Sequence, residues 1–205
     1  MERYKGEIWT SDSLSKHSSH SSLSHSNLTM LDLCSSRPSP NLYDQLTVLS
    51  RIHTLSCYLT EPSPNCLSLR ARLAPSASSL RFLRLQQGTN ARLTMDDVAA
   101  IVSCRHLSSL DVSGTDLSQS MFDEICKGLA ASIESISASE SHLLTTLRSV
   151  SLCTRLNTLV INRSSGFKGD ELQYLTNLEH LVTSSTSTTV CSLIRLLDLA
   201  EPVRR

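Results

Sequence analysis

Apolar residues along the chain fall into one recurring phrase: apolar, two variable, apolar, one variable, apolar. It reads Leu28-Leu31-Leu33, Ile52-Leu55-Cys57, Leu80-Leu83-Leu85, Leu107-Leu110-Val112, Ile133-Ile136-Ala138, Leu156-Leu159-Ile161 and Leu178-Leu181-Thr183. Successive phrases begin 24, 28, 27, 26, 23 and 22 residues apart. Apolar positions two apart, with another three residues earlier, describe a short strand with one buried face and the turn that leads into it. Two columns not used to find the phrase support it. Eight residues after each start stand Ser36, Thr60, Gly88, Thr115, Ser141, Ser164 and Thr186, and all but Gly88 carry a hydroxyl. A chain that is roughly a quarter Ser and Thr would place about two there by chance. A hydroxyl at that point can satisfy backbone groups left unpaired where the strand turns away. Three residues before each start stand His25, Leu49, Ala77, Cys104, Ala130, Cys153 and Leu175, small or apolar in every repeat but the first. Arg37-Pro38-Ser39-Pro40-Asn41 also returns one repeat later as Glu61-Pro62-Ser63-Pro64-Asn65.

This period and internal spacing define a leucine-rich repeat solenoid. One strand and its return segment cannot bury an apolar face alone, so the repeats must stack on a shared core. The return segments of the first two repeats hold Pro38, Pro40, Pro62, Pro64 and Pro75 and are expected to be extended or irregular, since proline removes a donor and breaks helix interiors. A helix can still begin after Asn41, using Leu42, Leu46 and Leu49. Later segments read as helices. Thr94 with Asp97 three residues on forms a capping-box variant ahead of Val98 to Val102. Ser118 or Ser120 can cap a helix carrying Met121, Ile125 and Leu129 on one stripe. Residues 169–175 suit a shorter helical turn, and residues 190–199 a last helix ended by Pro202. The expected fold is therefore an α/β horseshoe. Parallel strands line its concave face, helices and irregular segments its convex face, and the shorter late repeats turn more tightly.

Composition changes the picture little. The chain has 205 residues, 40% hydrophobic and 19% charged, with 19 basic and 19 acidic side chains and a formal net charge of zero. Neither nucleic acid nor an anionic membrane is implied by that balance. Aromatics make up 4%, too few for stacking platforms. No apolar run reaches the roughly 20 residues that span a bilayer, and the N-terminus leads into no secretory signal. Residues 11–27 are Ser- and His-rich and offer little apolar surface against the entropy of ordering, so residues 1–27 are expected to form a disordered tail ahead of a repeat domain over residues 28–205. His17, His20 and His25 belong to that polar tract and are not expected to hold a metal. The seven cysteines are scattered without Cys-x-x-Cys spacing and read as reduced thiols of a cytoplasmic protein.

Cys104-x-x-Leu107-x-x-Leu110-x-Val112, echoed by Cys153-x-x-Leu156-x-x-Leu159-x-Ile161, resembles the cysteine-containing leucine-rich repeats of F-box substrate receptors and ribonuclease-inhibitor-like proteins. The wording Leu-Asp-Val-Ser-Gly-Thr at 110–115 is similar to leucine-rich repeat proteins common in parasitic protists. The resemblance covers residues 28 to about 200 and is one of repeat type. It implies protein recognition and leaves the partner open. Residues 1–27 are too short and polar to be an F-box, so the alternative of a ubiquitin-ligase receptor takes this chain as a fragment.

No phosphate loop or nucleophile elbow is present, and no cofactor is implied. His106 and Asp111 lie close in sequence, but a triad is a matter of geometry, and a loop histidine with a strand-face aspartate is the simpler reading. What remains is the concave face. If each phrase points its apolar residues inward, offsets two, four and six point out. Rows two and three then present Tyr58, Phe82, Arg84 and Gln86, of which Tyr and Arg are types enriched at binding hot spots. Row four presents Asp111 between Ser109 and Ser113, and row five is all serine. The expectation is a non-enzymatic protein-interaction scaffold with Tyr58, Phe82, Arg84, Gln86 and Asp111 as its contact residues. On this reading limited trypsin digestion cuts at Lys16 and spares the repeats. Early cleavage at Arg84 or Arg163, beside predicted strands, would contradict it.

Overall fold

Each apolar phrase becomes one strand. The computed structural model describes residues 8–10, 29–34, 51–59, 68–87, 91–163 and 177–183. Within them lie eight strands: β1 (Ile8–Thr10), β2 (Met30–Asp32), β3 (Thr54–Tyr58), β4 (Phe82–Gln86), β5 (Ser109–Asp111), β6 (Ser135–Ser137), β7 (Thr158–Val160) and β8 (His180–Val182). All pair in parallel and in sequence order, giving one open sheet. The register is that of the phrase. Leu31, Leu55, Leu83, Leu110, Ile136, Leu159 and Leu181 stand side by side across β2 to β8. In the first six phrases every described apolar residue is at most 3% exposed. Burial at that level contributes about 1.5–3 kcal/mol for a large aliphatic side chain.

The sheet starts earlier than the phrases place it. Residues 1–27 were expected to lie outside the repeats as a tail, yet Ile8–Thr10 pairs with β2, Trp9 opposite Leu31. The sequence conceals this strand because only Trp9 fills an apolar phrase position, the flanking phrase positions being Gly6 and Ser11. The physical reason is the edge: the outer side of β2 presents unpaired backbone donors and acceptors, and an extra strand of high β-propensity satisfies them. The rest of the expected tail lies outside the described residues, as do the expected helices after Asn41, over 169–175 and over 190–199.

On the other side of the core run α1 (Leu69–Leu73), α2 (Met95–Ser103) and α3 (Gln119–Gly128). The first corrects the expectation of an irregular segment around Pro75. Ser68 caps α1 through the Ala71 amide, Leu69 and Leu73 are buried, and a 3-10 turn (Ala74–Ser76) follows. Pro75 sits at the start of that turn, where no donor is required of it. Thr94 and Asp97 make the full capping box of α2. Thr94 Oγ1 accepts from the Asp97 amide at 3.2 Å and Asp97 Oδ2 accepts from the Thr94 amide at 3.0 Å. Ser118 caps α3, accepting from the Met121 amide. Ile125 and Leu129 are buried as the stripe requires. Met121 is only partly so, and Phe122 beside it is the bulkiest fully buried side chain. The 23-residue fifth repeat has no room for a comparable helix and uses a 3-10 segment (Arg148–Leu152).

The strands leave the sheet by one device. Gly114, Glu140 and Arg163 each follow their phrase start by seven residues and each takes a left-handed conformation, with φ of 69°, 62° and 55°. Glycine adopts this without cost. Glu140 and Arg163 hold it while paired to each other at 2.9 Å. One position later the hydroxyl column does what was asked of it at Thr115, whose Oγ1 donates to the Val112 carbonyl at 2.7 Å from a buried site. Ser141, the other described hydroxyl of the column, is buried as well, but its Oγ has no hydrogen-bond partner among the described residues, so the expected role holds at Thr115 and not there.

Helix α3 packs on α2 through Gly128. A Cβ built there stands 2.2 Å from Val102 Cγ1, and valine cannot easily rotate away within a helix. Gly128→Ala is therefore expected to destabilise the fold by about 1–3 kcal/mol. Val102→Ala in the same molecule should recover part of the loss. Thermal melts of the single and double variants check both statements.

Candidate functional site

The concave face is built from strand residues that alternate with the buried ladder. Tyr58, Phe82, Arg84, Gln86 and Asp111 all lie on it, contributed by the adjacent strands β3, β4 and β5. Register brings them together: Tyr58 stands opposite Gln86, and Arg84 opposite Asp111. Phe82 sits between Thr54 and Ser109. All five are partly or fully exposed.

Three of them are fixed by bonds that no local pattern announces. Arg84 Nε meets Asp111 Oδ2 at 3.3 Å, with the arginine side chain 48% and the aspartate 22% exposed. Such a half-exposed pair adds little stability, up to about 1 kcal/mol. It does tie the guanidinium to the neighbouring strand, and it neutralises a charge that the sequence presents as a free cation. The other Asp111 oxygen accepts from the Ser113 amide at 3.0 Å. Asp32 repeats that turn, accepting from the Cys34 amide at 2.8 Å. Tyr58 donates its hydroxyl to the Cys34 carbonyl at 2.9 Å, and Arg72, buried beneath the sheet end, donates to the Tyr58 carbonyl at 2.9 Å. The Tyr58 ring is thereby held across β2 and β3.

Beyond Asp111 the face becomes a hydroxyl ladder. Ser113 Oγ and Ser137 Oγ lie 2.8 Å apart, and Ser113 Oγ and Ser139 Oγ accept from the amides of Ser139 and Asn162. These hydroxyls take up the Ser139 and Asn162 amides beside the backbone bonds that continue there, from the Gly114 amide to the Ser139 carbonyl and from the Glu140 amide to the Asn162 carbonyl. His106 lies in the turn before β5, whereas Asp111 is committed to Arg84 and the Ser113 amide at the far end of that strand. The two are not brought together. Among the described residues no group of three His, Cys, Asp or Glu side chains is placed to hold a metal ion. Sequence reasoning missed Gln119. Its Oε1 accepts from the amides of Thr145 and Thr146 at 2.8 and 3.0 Å, tying one repeat to the next across 26 and 27 residues. Nothing local in the sequence signals that contact.

The geometry settles the fold: a stack of parallel strands, one per apolar phrase, with helical returns behind and an open concave face in front. It is a leucine-rich repeat solenoid. An internalin from Listeria monocytogenes is similar to it, with a TM-score of 0.56 and 20% sequence identity over 83% of this chain and 45% of the internalin. This chain thus spans less than half the length of that protein. No protein-family model matches the sequence. No curated protein matches it either.

Of the five described cysteines, all but Cys34 are buried and serve the solenoid rather than its face. Cys104 and Cys153 occupy the inter-repeat column and are 0% and 4% exposed. Burial pushes the Cys104 thiol up to about 11, against a small opposing effect of the Ser103 hydroxyl. Cys34, half-buried at the end of the concave face, is pushed up to about 12, first by burial and then by Cys57 and the Asp32 carboxylate. Cys153 donates to the Cys126 carbonyl at 3.5 Å, and its hydrogen bond to the Cys126 thiol, with burial, pushes Cys126 up. Thiolate, the reactive form, is therefore scarce at Cys34 and Cys104 near neutral pH. The same contact with the Cys126 thiol pulls the Cys153 thiol down, so its protection rests on burial alone. Thiol-alkylating reagents at about pH 8 should leave Cys34 and Cys104 almost unmodified in the native protein, and Cys153 too for want of access, until the protein unfolds. Fast labelling of Cys104 and Cys153, or stoichiometric zinc in a metal assay, would contradict this.

Proposed function

We propose that the chain is a non-enzymatic protein-recognition module that holds its partner on the concave face of repeats two to four. The observation that carries this reading is the gathering of Tyr58, Phe82, Arg84, Gln86 and Asp111 on three adjacent strands, three of them already fixed by Tyr58–Cys34 and Arg84–Asp111 contacts. A face whose side chains are preset loses less entropy on binding. Tyr58 and Arg84 are residue types that anchor interfaces, and the serine-lined strands beyond allow close approach. The neutral charge balance speaks for a protein partner over nucleic acid or a membrane surface. Among the described residues no helix is long and apolar enough to cross a membrane. No cofactor enters this reading.

Within the leucine-rich repeats we assign the chain to the cysteine-containing type, on the equivalent places of Cys104 and Cys153. We take it as cytoplasmic because its odd set of seven cysteines suits reduced thiols, and the five described ones form no disulfide.

The test is the double variant Phe82→Ala, Arg84→Ala. Partner capture should weaken by about 1–4 kcal/mol. The melting temperature should hardly move, since both side chains lie outside the core and the Arg84 ion pair is half-exposed. Unchanged affinity in a folded variant would remove this patch as the contact surface. Capture of a cullin adaptor by the intact chain would favour the ubiquitin-ligase receptor instead.

A further inference from the structure

The turns that lead into the strands form a rim beside the concave face, and its charge is uneven. Arg81 immediately precedes β4, one rung from His53, and both are tied into the backbone ladder: the Arg81 amide donates to the His53 carbonyl at 2.8 Å and the Ser108 amide to the Arg81 carbonyl at 2.9 Å. Arg105 and His106 lie in the next turn, before β5. Arg81 reaches across to them, donating from Nη1 to the His106 carbonyl at 3.1 Å. Arg81, Arg105 and His106 are exposed and His53 is partly so.

Four other guanidinium groups are neutralised. Arg84, Arg92, Arg155 and Arg163 each pair with a carboxylate. Among the described residues neither Arg81 nor Arg105 has an ion-pair partner, although the two sit on neighbouring turns. One strand further on the rim is neutral, Glu134 before β6 being paired with Arg155, and Glu179 follows before β8. The cationic stretch is thus confined to the rim of β3 to β5, about 10 Å wide at the usual strand spacing.

We propose that this rim, Arg81 and Arg105 with His53 and His106, is a docking site for an acidic peptide segment. Width and surroundings choose that occupant. Two guanidinium groups on adjacent turns match two or three carboxylates of an extended chain, whereas a nucleic-acid backbone continuing along the rim would meet the neutral Glu134–Arg155 pair and then Glu179. A lipid surface would need apolar side chains beside the cations. The exposed large apolar residues among those described are Met95, Leu143, Leu152 and Val182, and each belongs to another part of the fold. The Arg81 contact with the His106 carbonyl fixes the direction of one guanidinium before binding, which lowers the ordering cost. The site goes beyond the concave contact surface and meets it at Phe82, the residue after Arg81.

The experiment measures binding of a fluorescein-labelled hexaglutamate peptide to the full chain by anisotropy, at about 0.05 M and about 0.15 M salt. Wild type should bind saturably and more weakly at the higher salt. Arg81→Glu with Arg105→Glu should weaken binding by about tenfold or more, while Arg81→Lys with Arg105→Lys should retain most of it. Arg70→Glu with Arg148→Glu, two exposed arginines outside both surfaces, should bind the peptide as wild type does, which separates the rim from overall charge. Circular dichroism melts confirm that each variant is folded. Absence of saturable binding at the lower salt would overturn the proposal. So would binding indifferent to charge reversal in a folded variant, or tighter binding of an oligothymidine or of phosphatidylserine vesicles than of the peptide.

Discussion

Everything in this molecule depends on the lateral stacking of one apolar column. Leu31, Leu55, Leu83, Leu110, Ile136, Leu159 and Leu181 are separated by a full repeat in sequence and by one strand spacing in space. No single repeat encloses its own leucine. Each is sealed by its neighbours, so stability resides in interfaces between repeats. The side chains that tie repeats together lie along the same seams: Gln119 to the Thr145 and Thr146 amides, Gly128 against Val102, and Cys153 to the Cys126 carbonyl.

That constraint also makes the candidate surface. Because the buried ladder takes every second strand residue, the others are forced onto a common face whatever their chemistry. Parallel pairing in constant register then lines up residues about 26 apart, so that Arg84 meets Asp111 and Tyr58 reaches Cys34. The turns at both strand ends inherit the same alignment. At one end it produces the left-handed positions Gly114, Glu140 and Arg163, and at the other it brings Arg81 to His106.

The sequence was most legible where a residue's role repeats. Inward residues, the Thr94–Asp97 capping box and the Ser118 cap are local or periodic features, and the structure has them where the pattern puts them. It was least legible where a role occurs once. Strand β1 carries a single residue of the phrase, so periodicity passes over it, although an open sheet edge gives Ile8–Thr10 a place to pair. The helix Leu69–Leu73 was hidden by Pro75, which disfavours a helix interior yet fits the first turn of the 3-10 segment that follows.

For the surface the division is similar. The five concave residues could be named from alternation alone, because facing is a local property of a strand. Their partners could not. That Arg84 is paired, that the Tyr58 hydroxyl is spent on a carbonyl 24 residues away, and that Arg81 and Arg105 find no carboxylate among the described residues follow from distances across repeats. The sequence by itself determined the solenoid, its register and which residues face out, since period and alternation are written in every repeat. Only the tertiary structure decided which charges cancel and which remain. Coulomb and hydrogen-bond contacts act over a few ångströms in space, and the solenoid brings within that range residues a whole repeat apart in the chain.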